Sequence, residues 1–211
     1  EINRRQAYLR TEKLNLQTLA RHKLDEEKRE KLIERCVSES NRLNDLCNNM
    51  LFTSQIEGRQ YKPALESFSL SEMAEDVVTE FANRYQRPFQ EDIATGVRIN
   101  GDKAMLRIAL TNLVENAIKY TPANGTIGLS LETTPTTAIL RVSDEGPGIP
   151  DTEKKKVFDK FYRVGNEESR KTKGTGLGLY LSSRIVAQHK GRMAVKNNTP
   201  TGSIFEIQLP V

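Results

Sequence analysis

Apolar positions follow two rhythms along this chain, and the change of rhythm divides it. From residue 1 to 57 they fall at helical spacing. Leu9, Leu16 and Leu19, with Leu14 beside them, form one stripe; Leu32, Cys36, Leu43, Leu46, Met50 and Leu51, widened by Ile33 and Val37, form a second. The first glycine is Gly58 and the first proline is Pro63, so nothing breaks either helix. Between the stripes, Arg21, His22 and Lys23 suit the negative end of one helix, and Asp25, Glu26 and Glu27 suit the positive end of the next. The pattern predicts two long helices in an antiparallel hairpin. A lone hairpin buries too little apolar surface, so its stripes are expected to pair with a second copy in a four-helix bundle. Folding back onto its own domain is the alternative.

Residues 58–66 contain the first breakers and read as a linker. They place a domain boundary between a hairpin at 1–60 and a second domain at 61–211. Beyond it the rhythm changes to short runs. Residues 67–70 are a short strand, and Ser71 is expected to cap a helix whose buried face is Met73, Val77, Val78 and Phe81. Pro88 ends it. Residues 89–93 and 97–99 are predicted to pair as strands across Thr95 and Gly96. Asp102 caps the next helix, whose apolar positions are Leu106, Ile108, Leu110, Leu113, Val114 and Ala117. Alternation at 126–132 and 138–143 predicts a hairpin. A helix through Leu181, Ile185, Val186 and Ala187 and a last strand pair at 193–196 and 203–209 complete an α+β fold.

Four patterns lie between residues 112 and 178 in a fixed order. On the helix after Asp102, Asn112, Asn116 and Lys119 share one polar face, followed by Tyr120. The second hairpin strand runs into Asp144, Gly146, Gly148 and Ile149. A charged stretch with one aromatic patch follows, containing Phe158, Phe161, Tyr162 and Arg163, and it suits a lid that packs its aromatics down. Gly174, Thr175, Gly176, Leu177, Gly178 and Leu179 then open a helix, where free backbone N–H groups and the helix dipole favour phosphate. A dinucleotide-binding fold needs a βαβ unit around such glycines, and a Walker loop needs Gly-Lys-Ser/Thr after them; neither is present.

Taken in order, these patterns resemble the ATP-binding domain of sensor histidine kinases of two-component systems, within the fold shared with gyrase and mismatch-repair ATPases. The resemblance implies a dimerising helical hairpin followed by an α/β two-layer sandwich of the Bergerat type. It implies ATP and Mg²⁺ as ligands. Asn116 would hold the metal, since Mg²⁺ takes few protein ligands and keeps phosphate oxygens and water. Asp144 would accept from the adenine amino group, with Gly146, Gly148 and Ile149 around the base. Asn112, Lys119, Tyr120 and Arg163 would serve the phosphates, Asn112, Lys119 and Arg163 as the catalytic set. The turn from Gly174 through Leu179 would close over them, and Ser203 would stand where the family usually has Thr. The activity implied is transfer of the γ-phosphoryl group of ATP to a histidine on the dimer bundle, for relay to a response regulator receiver domain.

One part of the family pattern is missing. The first helix should carry an acceptor histidine followed by an acidic residue, near Asn3 by counting back from residues 14–19, and residues 1–10 hold none. The chain has His22 and His189 only. His22 stands in the helix connection without an acidic neighbour, and His189 reads as the cap of a late helix. The chain is therefore expected not to phosphorylate itself on histidine. A gyrase-type ATPase switch is the rival function; it needs a water-orienting carboxylate where this helix has Asn112. A dimerising nucleotide-binding module without catalysis is the third.

Composition adds little. A net charge of +4 over 211 residues, with Lys and Arg dispersed among acids, argues against nucleic-acid binding. No apolar run reaches the roughly 18 residues of a membrane span, so any membrane segment is expected outside this chain and the domains in the cytoplasm. Cys36 and Cys47 lie about 16 Å apart along one helix, too far to bond to each other, and read as reduced, partly buried thiols.

Overall fold

The computed structural model describes residues 17–18, 25–58, 60–165 and 174–211. Most of the first predicted helix, including its apolar stripe, lies outside these residues, as do His22 and residues 166–173 of the charged stretch. The chain divides into two compact units, residues 1–51 and 52–211, and the expected boundary after residue 60 falls inside the second.

The second long helix forms as its spacing predicts: α1, Glu26–Glu57, opens on Glu26 and Glu27. Asp25 Oδ1 accepts from the N–H of Lys28 at 2.8 Å, and the Lys28 ammonium lies 2.6 Å from its other oxygen. In the first unit the apolar stripe is left open at Ile33 and Val37. Cys36 is half-buried and Cys47 exposed, and both are free thiols. Cys47 is therefore more exposed than the partly buried thiol expected of it.

The second unit has β1 (Glu66–Ser69), α2 (Leu70–Tyr85), β2 (Phe89–Ile93), β3 (Arg98–Gly101), α3 (Lys103–Tyr120), β4 (Ile127–Thr133), β5 (Thr137–Asp144), a 3-10 turn (Lys156–Phe158), α4 (Gly178–Gln188), β6 (Arg192–Asn197) and β7 (Ser203–Pro210). Five strands form one sheet in the order β2-β4-β5-β7-β6, and β1 pairs with β3 in a second, small sheet. Leu129, Leu131, Leu140, Val142, Phe205 and Ile207 alternate to one side of the large sheet, where they share a core with Met73, Phe81, Leu110, Leu113, Leu181 and Ile185 of the helices.

Two local readings are corrected. Strands β2 and β3 do not pair across Thr95 and Gly96: β2 runs parallel to β4, with Phe89 opposite Ile127, and β3 runs antiparallel to β1, with Ile99 opposite Phe68. The cause is Ser71. Its hydroxyl donates to the carbonyl of Ala94 at 2.6 Å and accepts from the N–H of Val97 at 3.0 Å, replacing the bond a tight turn would make between these two residues. Ser71 is thus buried and cross-linking rather than capping. The cap of α2 is Ser69, whose Oγ accepts from Glu72 N at 3.1 Å.

On the other side of the sheet, Glu206 of β7 is buried beneath its own partners. Arg141 Nε reaches it at 2.8 Å, Lys196 Nζ at 2.7 Å and Gln208 Nε2 at 2.8 Å. Burial pushes this carboxyl up, but the three donors outweigh it and hold the group at about 2, against an ordinary 4.5. A depressed folded pKa contributes stability above the unfolded value and loses it as pH falls through the folded one. Urea midpoints should therefore drop progressively from the ordinary glutamate range down to pH about 2. Glu206→Gln should flatten that slope.

Candidate nucleotide site

Helix α3 is capped by Asp102, as its sequence predicts, and the cap does more than start the helix. Oδ1 accepts from Met105 N at 3.0 Å, while Oδ2 accepts from Ala64 N at 2.9 Å and from the Tyr61 hydroxyl at 3.0 Å. Burial pushes the Asp102 carboxyl up, and these hydrogen bonds overcome it and hold it below the usual range. The N–H of Asp102 donates to Nε2 of His189 at 2.9 Å, and His189 Nδ1 lies 2.8 Å from the carbonyl of Ile185. His189 is buried with both ring nitrogens engaged, which suits the predicted cap and leaves no nitrogen to accept a phosphoryl group. The base of α3 and the end of α4 are pinned together here.

The other ends of these two helices carry the polar face of α3 and the second glycine cluster. Met105, Leu106, Ala109, Leu110, Leu113, Val114 and Ala117 are buried, which turns Asn112, Asn116 and Lys119 away from the core. Asn112 Nδ2 faces α4, 3.3 Å from Ser182 Oγ and 3.5 Å from the carbonyl of Gly178. Lys119 Nζ lies 2.7 Å from the point where a Cβ on Gly174 would stand, and 4.8 Å from the centroid of the Tyr120 ring. The carbonyl of Tyr120 comes within 3.0 Å of the corresponding point on Gly146. The polar helix face, the Asp-Gly turn and the second glycine cluster therefore meet in space. Asn116 is half-buried, and no hydrogen bond reaches its amide among the described residues.

Asp144 ends β5 opposite Ser203, the first residue of β7. Its Oδ1 accepts from Gly146 N at 2.8 Å and from Ser203 N at 3.3 Å. Its own carbonyl accepts from Asn198 Nδ2 at 2.9 Å. No donor from the described residues meets Oδ2. Burial pushes this carboxyl above the ordinary aspartate range, against the two N–H donors that favour the ionised form. The turn that follows is braced by Thr201, whose hydroxyl donates to the carbonyl of Gly146 at 3.0 Å. Ile149 packs part-buried against the core.

In the aromatic segment Val157 is buried, and Phe158 and Tyr162 pack against the core, as expected of a lid base. Phe161 has a left-handed backbone, φ 63°, and its N–H donates to the carbonyl of Gly176 at 2.9 Å. Only glycine suits position 176: its φ is +72°, and a Cβ would lie 2.7 Å from the Phe161 carbonyl carbon. Arg163, half-buried, closes the segment.

Helix α4 begins after Leu177 with no side-chain cap. Leu177 N donates to Thr175 Oγ1 at 3.3 Å, and the first intrahelical bond is Leu181 N to Leu177 O at 2.8 Å. The N–H groups of Gly178, Leu179 and Tyr180 are thus left without acceptors among the described residues, at the positive end of the helix. The structure brings together Asn112, Lys119, Tyr120, Asp144, Gly146, Ser203 and the turn from Gly174 through Leu179. Three supporting residues were invisible beforehand: Asn198, Thr201 and Arg87, polar residues next to a proline or, for Asn198, two before one, with the local look of a solvated loop.

Residues 101–211 match the family of histidine kinase-, DNA gyrase B- and HSP90-like ATPases. The sensor-like histidine kinase SenX3 of Mycolicibacterium smegmatis is 32% identical over 180 residues, 84% of this chain and 47% of that protein. The sensor histidine kinase RppB of Synechocystis is 34% identical over 174 residues, 81% of this chain and 38% of that protein. The chain thus spans less than half the length of these curated relatives. Among solved structures, the Acinetobacter baumannii histidine kinase AdeS superposes over 97% of this chain and 95% of its own, with a TM-score of 0.77 and 25% identity. The catalytic domain of histidine kinase ThkA covers 69% of this chain and 97% of its own at 30% identity, with a TM-score of 0.62. This chain belongs to the histidine kinase-, DNA gyrase B- and HSP90-like ATPase family, and its second unit is the ATPase domain of a two-component sensor histidine kinase.

Proposed function

We propose that the cleft between α3, α4 and the Asp144 turn binds MgATP and presents its γ-phosphoryl group to a histidine on a dimeric helical hairpin, for relay to a response regulator. The reading is carried by one observation: Lys119 against Gly174, Tyr120 against Gly146 and an open Oδ2 on Asp144 bring a cation, a glycine turn and an acceptor together. Asp144 Oδ2 accepts from the adenine amino group, and the buried site rejects a base that offers a carbonyl there. Gly146, Gly148 and Ile149 line the base, and Ser203 N–H fixes the carboxylate that reads it. The N–H groups of Gly178, Leu179 and Tyr180 face the phosphates. Lys119 and Arg163 neutralise charge that builds on the transferring group, with Tyr120 beside them.

The half-buried, unpartnered amide of Asn116 suits a single oxygen ligand to Mg²⁺, which would neutralise phosphate oxygens when bound. Asn112, engaged with α4, sets the spacing of the two helices. In the transfer itself the imidazole nitrogen bonds to γ-phosphorus as the bond to the β-γ bridging oxygen breaks. ADP leaves, and the imidazole proton passes to an acidic neighbour of the acceptor.

The apolar stripe open at Ile33 and Val37 supports pairing with a second copy. ThkA is a histidine kinase crystallised with the response regulator TrrA, and a receiver domain is the corresponding partner here. We place the working boundary between the hairpin and the catalytic domain at residue 60, in the cytoplasmic part of the sensor; no described helix is long and apolar enough to cross a membrane. Labelled ATP tests the assignment. Incubated alone and then with a matched hairpin bearing an acceptor histidine, the chain should transfer label only in the mixture. Phosphate release to water instead makes it an ATPase switch, for which the engaged Asn112 offers no carboxylate. Neither event leaves a nucleotide-binding module.

A further inference from the structure

We propose that Arg87, which lies outside every pattern above, is a positioning residue that holds the Lys119 and Tyr120 end of α3, and the turn after it, in register with the Asp144 turn. The inference rests on the nucleotide reading of this cleft. The Arg87 guanidinium donates to four backbone carbonyls: Nη1 to Ile118 O at 3.5 Å and Thr121 O at 3.2 Å, and Nη2 to Pro122 O and Gly125 O, both at 2.8 Å. No carboxylate pairs with it among the described residues. The carbonyls at a helix C-terminus lack intrahelical partners and carry the negative end of the dipole. A planar fork with several fixed donors fits such a cluster, and an ammonium reaches less of it.

The turn has little else to hold it. Its own backbone bonds are Thr121 N to Ala117 O at 3.0 Å and Gly125 N to Pro122 O at 2.9 Å. The Thr121 hydroxyl is buried without a partner among the described residues, so none of them is tied to the turn through it. On its far side Thr126 N donates to Glu145 Oε2 at 2.9 Å, one residue past Asp144. At its near side the Tyr120 carbonyl lies against Gly146. The segment gripped by Arg87 thus runs from Lys119 to the edge of the Asp144 turn. The grip comes from a firm base: Arg87 N donates to Ala82 O at 3.3 Å at the end of α2, and β2, starting two residues later, is in register with β4.

The test uses Arg87→Ala and Arg87→Lys in the full chain, with MgADP as probe by calorimetry and amide exchange over residues 121–126. Arg141→Met, on the opposite side of the sheet, serves as a variant that loses stability without touching the cleft. Arg87→Ala should bind MgADP about tenfold more weakly and exchange faster across 121–126, with Arg87→Lys between it and the native chain. Methylguanidinium, well below denaturing concentration, should restore both in Arg87→Ala and change neither in Arg141→Met. Native affinity in Arg87→Ala, an equal loss in Arg141→Met at matched stability, or the absence of rescue overturns the inference. A native chain that binds no MgADP overturns the nucleotide reading instead, and the exchange rates then still support or overturn the hold of Arg87 on the turn.

Discussion

Asp144→Asn should weaken binding of adenine nucleotide about a hundredfold, the loss of a charge-assisted hydrogen bond in a desolvated site, without lowering the unfolding midpoint. The separation of the two effects follows from the geometry. The bonds from Gly146 N and Ser203 N go to Oδ1, and an amide oxygen placed there keeps both. What changes is Oδ2, which becomes an NH₂ donor facing the donor on the base. The native chain also has a pH signature of opposite signs in two measurements. Because burial raises the Asp144 pKa, the folded state favours the protonated form, so this group adds stability as pH falls through its folded value. Protonation simultaneously removes the acceptor for the adenine amine. ADP affinity should begin to fall on acidification above the ordinary aspartate range, while the contribution of Asp144 to the urea midpoint rises. Titration calorimetry across that range checks the first trend, and parallel urea melts of native and Asp144→Asn chains check the second. An affinity that follows pH identically in both chains would sink the assignment of Asp144 to the base.

Gly202→Ala should cost about 3 kcal/mol or more of unfolding free energy and abolish nucleotide binding with it. Gly202 holds φ at +107°, and an added Cβ would overlap the carbonyl oxygen of Asp144 and crowd Glu145. That carbonyl also accepts from Asn198, whose N–H donates back to Gly202 O at 3.0 Å. The backbone has no room to yield without moving Asp144 and Ser203 together. Thermal melts measure the first effect and equilibrium binding of MgADP the second. A variant that retains native stability would mean the strand junction is looser than this packing requires. Gly202→Ala and Asp144→Asn thus act on the same residue by different routes, the first through the backbone under it and the second through the atom it presents.

Much of this chain is legible from its order of residues because the deciding forces are local. The absence of breakers and the acidic start define α1. Asp102 and Ser69 sit three residues before the N–H groups they cap, although Ser69 lost that assignment to Ser71, equally suited by type. Alternation locates β4, β5 and β7, since one side of each must face the helices. The glycines at 146 and 176 are marked because neighbouring backbone, the Tyr120 carbonyl and Phe161, stands where a Cβ would be, and at 176 the left-handed conformation adds to this.

Sequence by itself determined the type and place of most elements, because capping, periodicity and glycine geometry act over a few neighbours. Tertiary structure alone decided which strands pair and which polar residues serve the cleft. Ser71 and Val97 are 26 residues apart and Arg87 and Gly125 are 38; a bond at that separation depends on how helices and sheet pack, and packing is settled by the whole core at once.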